Sequence, residues 1–326
     1  MIYFDRHVYS DSVKELYYNK AKTQYIKLDG NIVDLMRRIK DIIGKDSFSN
    51  FFQSVNSEDN FKQLILMPAN DIKSIAEIIK KRVGNKEIST KKMEYRNIQR
   101  LKSVYTTGNI MQKSNKGQKL NILLTNALGV TVCPYCNRNF INNRDDKLGS
   151  QMDHFYSKDT YPMFAISLYN FVPCCSICNL NKGNKEFWIN PWIQENVDEN
   201  EVKFDYLLKS LTDMEITIDG GSKRLADTEI IKLNAGYQIH QIDIKDMLDR
   251  EVKYSYTYRK ELQEIFKNAV NKRDETAYEN FNQMLADDEI DYLIHGNAVF
   301  TEDIKNIPLG KFKKDIFSEI RKMRDC

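Results

Sequence analysis

CPYCN at 133–137, followed by QMDHFYSKDTYPMFAISLYNFVPCCSICNLNKGNK at 151–185, holds five of the chain's six cysteines and one of its four histidines. Cys133-x-x-Cys136 and Cys175-x-x-Cys178 are two paired-thiolate knuckles. Brought together they make a closed tetrahedral four-cysteine site of the kind expected of structural zinc. Cys174 stands beside the second knuckle as a competing ligand, but Cys175 keeps the two-residue spacing of the first pair and is preferred. Asp153-His154 lies between the knuckles, Asn170 just before the second and Asn179 inside its continuation.

The spacing builds a second site within the first. Gln151 to His154 follows a turn-rich Asn-Asn-Arg-Asp-Asp segment and reads as a short strand. Asn170-Phe-Val-Pro reads as another, and the residues after Cys175 as a helix that breaks at Gly183. Two strands and a helix pinned by zinc form a ββα unit. Successive helical residues point about 100° apart, so Cys178 can ligate zinc while Asn179 faces the strands. Asp153 and Asn179 then offer hard oxygens to one divalent cation, Mg2+ or Mn2+ in preference to zinc, and His154 is placed to act as a base.

The order CxxC, DH, N and CN-x-x-KG resembles the HNH family of nucleases with the ββα-metal fold, across Cys133 to Lys185. Carried over by position, the resemblance implies that His154 activates the attacking water and that Asp153 and Asn179 hold the catalytic cation. It implies that Asn170 braces the loop orienting the histidine. Two positions depart from the commoner pattern: Ser157 stands where many members have proline, and Asn179 where many have histidine. The longer string from Asp153 to Asn179 is similar to HNH proteins of bacterial anti-phage systems, often encoded beside ATPases. That similarity implies a regulatory protein partner such as an ATPase.

Phosphodiester hydrolysis needs a nucleophile made from water and a charge that stabilises the departing oxyanion. A near-neutral histidine suits the first, and one cation touching the scissile phosphate suits the second. The expected products are 5′-phosphate and 3′-hydroxyl ends. Lys182 and Lys185, following the metal helix, are candidates for neutralising substrate phosphates.

The chain has 326 residues and a net charge of +3, enough for two or three domains. No stretch approaches the ~20 apolar residues of a membrane helix, and no apolar run of the signal-peptide kind follows Met1. The expectation is a cytoplasmic chain without membrane partners, in a reducing compartment where cysteine pairs bind metal and do not form disulfides. Between Lys73 and Lys119 there are thirteen Lys or Arg against three acids. Acids predominate from Glu186 to Glu251. This asymmetry is compatible with a nucleic-acid face on the basic side, and equally with a solvated helix surface.

The expected class is α+β, mainly α: a helical N-terminal region over 1–128 that includes the basic 73–119, a nuclease core over 129–190, and a mostly helical C-terminal region over 191–326 with a small β-hairpin. Residues 1–30 read as mixed. Helices are expected over 32–43, 48–55, 61–67, 70–83, 91–105 and 120–128, with a loop at 108–118 and a short helix at 161–169. After the linker that carries Trp188 and Trp192, strands are expected at 202–207 and 214–219. Helices then follow over 226–233, from 237 toward 268, and over 275–286 and 311–323. His7, His240 and His295 read as structural or surface residues, and Asp287-Asp288-Glu289 with Asp291 resembles a metal site in composition only, a charged, solvated helix end explaining it equally well. The leading functional reading is a metal-dependent endonuclease acting on DNA. The alternatives are a zinc-stabilised nucleic-acid-binding or scaffold protein that does not cut, and an RNA nuclease, including one directed at transfer RNA.

Overall fold

The computed structural model describes residues 2–82, 95–112, 114–115, 118–145, 147–194, 202–210, 213–270, 287–296 and 304–325. They fall into two compact units, Met1–Asn200 and Glu201–Cys326, so the helical N-terminal region and the cysteine-rich segment share one body. The mainly α, α+β class is as expected, and among the described residues the strands form two-stranded sheets. Among the described residues no helix is long and apolar enough to cross a membrane.

The first unit opens with α1 (Asp11–Lys27), α2 (Ile32–Ile43), α3 (Lys45–Phe51), α4 (Ser57–Ile65), α5 (Ala69–Arg82) and α6 (Arg96–Tyr105). Local chemistry sets several of these limits. The side chains of Ser10, Asn31 and Asn56 accept hydrogen bonds from Val13, Asp34 and Glu58 N–H groups at the starts of α1, α2 and α4, satisfying donors the helix cannot. Gly44, at φ +89°, ends α2 and turns directly into α3, a conformation that favours glycine. Leu35, Met36, Ile39, Ile42 and Ile43 bury one face of α2, each contributing about 1.5–3 kcal/mol of burial.

Two expectations change here. The mixed residues 1–30 contain α1, whose Tyr17, Tyr18, Ala21 and Tyr25 are buried. The 108–118 loop contains a 3-10 turn at Ile110–Gln112 with Ile110 and Met111 buried, then the paired strands β1 (Ser114–Asn115) and β2 (Gln118–Lys119). Residues 83–94, the middle of the basic segment and the start of the expected 91–105 helix, lie outside the described residues.

After α7 (Leu120–Leu128) come β3 (Gln151–His154), β4 (Phe171–Cys174) and α8 (Ser176–Lys182). The strands are antiparallel, with Gln151 opposite Cys174 and His154 opposite Phe171. The short helix expected at 161–169 is instead two 3-10 turns, Pro162–Phe164 and Leu168–Asn170. Ser167 between them is extended, and its hydroxyl donates to the Leu64 carbonyl, a tertiary bond that overrides local helix preference. Trp192 belongs to the core: its indole N–H donates to Phe171 O, and its ring packs against Phe4 and Tyr169.

The second unit holds the expected hairpin, β5 (Val202–Leu208) against β6 (Met214–Gly220). Then come α9 (Ser222–Ile230), α10 (Leu233–Tyr237), α11 (Gln241–Lys253), α12 (Tyr256–Val270), α13 (Asp287–His295) and α14 (Gly310–Asp325). Phe204 packs on Tyr237 and Phe312. The long helix expected from 237 toward 268 is interrupted at Tyr254, whose carbonyl is taken by the Arg259 side chain. The expected 275–286 helix lies outside the described residues, as do the side chains of Asp287, Asp288 and Glu289 and residue Cys326.

Asp291 departs from a solvated helix end. It is fully buried and accepts from both Arg259 and Arg324. Glu251 joins the same network through Arg259 and His295. The ligand atoms of Glu251, Asp291 and His295 lie within 4.8 Å of one another, but two guanidinium groups already balance the two carboxylates. The cluster is an ion-pair network.

Candidate active site

The cysteine scaffold comes first. Cys133 N–H donates to Asn139 O, and Asn137 N–H donates back to Cys133 O at 2.8 Å. Asn137 takes φ +47°, a conformation asparagine tolerates better than most residues, and the chain folds back on itself around Cys136. The sulfurs of Cys133, Cys136, Cys175 and Cys178 lie within 4.8 Å of one another and all four residues are buried. Cys174, buried in β4, stands outside this group. The Cys175 backbone N–H points at Cys133 Sγ, and the Asn139 carboxamide donates to Cys175 Sγ, each at 3.3 Å. Donors aimed at sulfur favour thiolate. The Cys175 thiol is held well below its ordinary range by the neighbouring Cys133, Cys136 and Cys178 thiols, with Asn139 adding to the effect. Four converging buried sulfurs with N–H donors fit zinc, which would tie the 133–139 turn to the start of α8.

Gly149 permits the approach to β3. A Cβ there would fall 1.9 Å from Asn142 O, so only glycine fits. Along β3, strand alternation sends Asp153 toward α8 and His154 toward the end of α6. Both nevertheless border one cleft of about 440 Å³, together with Asn179, Gln151, Tyr105, Ser157, Lys158 and Leu180. The three residues singled out by spacing therefore share a single opening.

His154 is buried, its ring edge-on to Tyr105 at 4.4 Å and tilted over Phe171 at 4.8 Å. Its Nε2 sits 2.9 Å from the carbonyl oxygen of Ala165. A carbonyl only accepts, so Nε2 carries the proton and Nδ1 keeps its lone pair. Burial pushes the imidazole pKa down to about 3, against the opposing pull of the Ala165 carbonyl; this departs from the near-neutral pKa expected of the base, and leaves the ring neutral and weakly basic at pH 7.

The 155–169 loop that supplies this carbonyl is fastened from several sides. Asn170 is fully buried; its carboxamide donates to Tyr156 O and Phe164 O and accepts from Tyr156 N–H. Tyr17 of α1 donates to Ile166 O, and Ser167 to Leu64 O. Ser157 donates to Asn184 and accepts from Asp159 N–H. Lys102 of α6 pairs with Asp159.

Asp153 is buried and engaged on both oxygens. The Tyr135 hydroxyl donates to Oδ2 at 2.7 Å, and Lys182 Nζ lies 3.1 Å from Oδ1 and 3.0 Å from Oδ2. A carboxylate offers about four lone-pair positions, so one further ligand position remains. The Asn179 amide nitrogen donates to Gln151 Oε1, which leaves its carbonyl oxygen as the ligating atom. Asp153 and Asn179 thus both line the cleft with oxygen of the type a hard divalent cation takes, the two Asp153 oxygens being already engaged by Tyr135 and Lys182.

Lys182 is the main departure from expectation. It is closed off from solvent, pairs with Asp153 and donates to His154 O. Its charge is neutralised inside the protein and does not face a substrate phosphate. Lys185 is exposed, near Asn181 O, and is not part of the cleft wall. The cation that does line the cleft is Lys158, whose ammonium lies 5.8 Å from the Tyr105 ring centroid. Its signal in the sequence is its place four residues after His154. Tyr105, Tyr135 and Gln151 also belong to the site; Tyr105 carries no motif that links it to the histidine.

No known family model matches the chain, and no solved structure matches it. A 62-residue stretch, 18% of this chain, is 39% identical to Septu protein PtuB of Bacillus thuringiensis. The chain shares a segment with a Septu protein. That segment spans 24% of the relative's length.

Proposed function

We propose that the chain is a metal-dependent endonuclease of the HNH type that hydrolyses DNA, acting in anti-phage defence. The observation that carries the reading is the Nε2–H bond from His154 to Ala165 O, which turns a neutral imidazole lone pair into the available base beside Asp153 and Asn179. A water held near Nδ1 gives up its proton to His154 as it attacks phosphorus. Asn170 and Ala165 keep the ring from rotating away. A divalent cation held by Asp153 and Asn179 would supply charge for the leaving oxyanion. Lys158 draws the phosphate into the cleft.

The defence role is supported by the resemblance of Asp153–Asn179 to HNH proteins of anti-phage systems and by the segment shared with Septu protein PtuB. The same resemblance supports a regulatory ATPase partner. A nuclease of low sequence specificity endangers its own host, and control by a second protein answers that danger.

The test is plasmid DNA, single-stranded DNA and RNA incubated with the full chain in Mg2+, Mn2+ or EDTA, beside His154→Ala. Cation-dependent cutting that disappears in the variant, with zinc retained, is expected. Equal rates in variant and wild type would sink the assignment. A second reading, a zinc-stabilised nucleic-acid-binding scaffold, is favoured by Lys182 and Tyr135 already occupying both Asp153 oxygens. It requires binding without cutting in every cation. Cutting of RNA alone would redirect the substrate.

A further inference from the structure

We propose that a cavity between the amino-terminal segment and the start of α5 binds a nucleoside monophosphate, as a second ligand site separate from the cleft of His154. No residue lines both, and the assignment holds whether or not the chain cuts DNA.

The cavity has a volume of about 250 Å³, room for one small molecule. Part of its lining is apolar: Tyr169 and Trp192, which meet edge-on with ring centroids 5.0 Å apart, and Leu66 and Pro68 beside them. The frame is pinned at two points. Phe4 N–H donates to Pro191 O at 2.8 Å, and the Tyr169 hydroxyl donates to Arg6 O at 3.2 Å. These are backbone anchors, so they hold residues 4–6 against the rings without using the Arg6 guanidinium. A cavity already built in this way loses little to ordering when a ligand enters.

The charged lining is Arg6, His7 and Lys14, with no acid among it. Neither the Arg6 guanidinium nor the His7 imidazole has a protein partner among the described residues. Lys14 lies 3.5 Å from Asp11, but Asp11 is fully exposed. Such a pair is worth little, so the ammonium can turn to a ligand. The nearby Asp5 carboxylate is engaged by the His7 backbone N–H. Ala69 and Asn70 begin α5 and border the same opening, adding the positive end of a helix dipole. Three basic side chains around one opening call for a multiply charged anion, and an arginine with a lysine suits a phosphate monoester. The aromatic lining calls for a flat ring carried by that phosphate. A nucleoside monophosphate joins the two in one small molecule.

The experiment uses the full chain with the exposed Trp188 changed to Phe, so that Trp192 is the one remaining tryptophan. It is titrated with the four ribonucleoside 5′-monophosphates, the four nucleosides, inorganic phosphate and a 5′-phosphorylated oligonucleotide, by calorimetry and by indole fluorescence. At least one monophosphate is expected to bind and to change the Trp192 emission, with its nucleoside and phosphate alone each about tenfold weaker or worse. Arg6→Ala and Lys14→Ala should each raise its dissociation constant about tenfold, with melting temperature as the control for folding. Lys158→Ala, at the cleft, should leave that constant unchanged. No binding by any monophosphate at millimolar concentration would overturn the proposal. Binding lost in Lys158→Ala and kept in Arg6→Ala would overturn it by placing the nucleotide in the cleft. Phosphate alone binding as tightly would remove the ring from the ligand, and a tighter oligonucleotide would replace the free nucleotide by a strand end; either result overturns the assignment.

Discussion

Lys182 Nζ lies 3.0 Å and 3.1 Å from the two carboxylate oxygens of Asp153, and both side chains are buried. The pair ties the end of α8 to β3 directly under the cleft. Removing one partner leaves the other charged and unmatched in the interior. Lys182→Met and Asp153→Asn should therefore each destabilise the first unit by about 3–5 kcal/mol. Urea unfolding of both single variants and of the double variant measures the coupling. The double variant is expected to be clearly more stable than the sum of the two losses; strict additivity would mean the pair carries no interaction energy.

His154 gives a pH dependence with a definite sign. Its folded pKa is about 3, below the ordinary 6.5, because burial opposes the charged ring. The unfolded chain therefore binds the proton first as pH falls. The contribution to stability is fully present above about pH 6.5, declines as pH drops below that value, and is gone below the folded pKa. Replacing His154 with Gln should flatten the slope of unfolding free energy between pH 6.5 and 4. For the same reason the acid limb of the cutting rate should lie below pH 5. A limb centred near 6.5 would show a solvated, differently placed imidazole.

The sulfur cluster separates Cys174 from its neighbour. Cys175→Ser should lose bound zinc and, with it, the fold of the 133–185 segment, whereas Cys174→Ser should keep about one zinc per chain. Metal analysis together with near-ultraviolet circular dichroism distinguishes them. Zinc lost from Cys174→Ser and kept in Cys175→Ser would reverse the ligand assignment.

Asn170 makes three hydrogen bonds to the loop that holds the histidine. Asn170→Ala removes its bonds to the backbone of Tyr156 and Phe164, at a cost of about 2–4 kcal/mol. Zinc should remain while cutting falls at all cation concentrations. A variant that lost only cation affinity, with its maximal rate intact, would contradict a bracing role.

Much of this site is legible in the sequence because chemistry fixed the spacing. Two CxxC pairs dictate one four-sulfur cluster, and the residues between them have little freedom in where to lie. The α7 helix, the β5–β6 hairpin and α14 follow ordinary apolar patterning. α1 escaped because its buried side chains are mostly tyrosines, whose half-polar character blurs the period. The inward turn of Lys182 was available in principle: it stands four residues after Cys178, and so on the same helix face as a zinc ligand. Charge alone suggested a surface position. The 161–169 segment misled because its shape is set by Leu64 and Tyr17, more than a hundred residues earlier in the chain.

That last feature extends beyond the fold. Tyr17 grips the carbonyl of Ile166, the residue next to the one that fixes the imidazole tautomer. Through these two bonds α1 is linked to the His154 ring without contact at the cleft. Under the proposed nuclease reading the amino-terminal helices help aim the histidine, and a fragment trimmed to the cysteine segment would keep its metal clip while losing that aim.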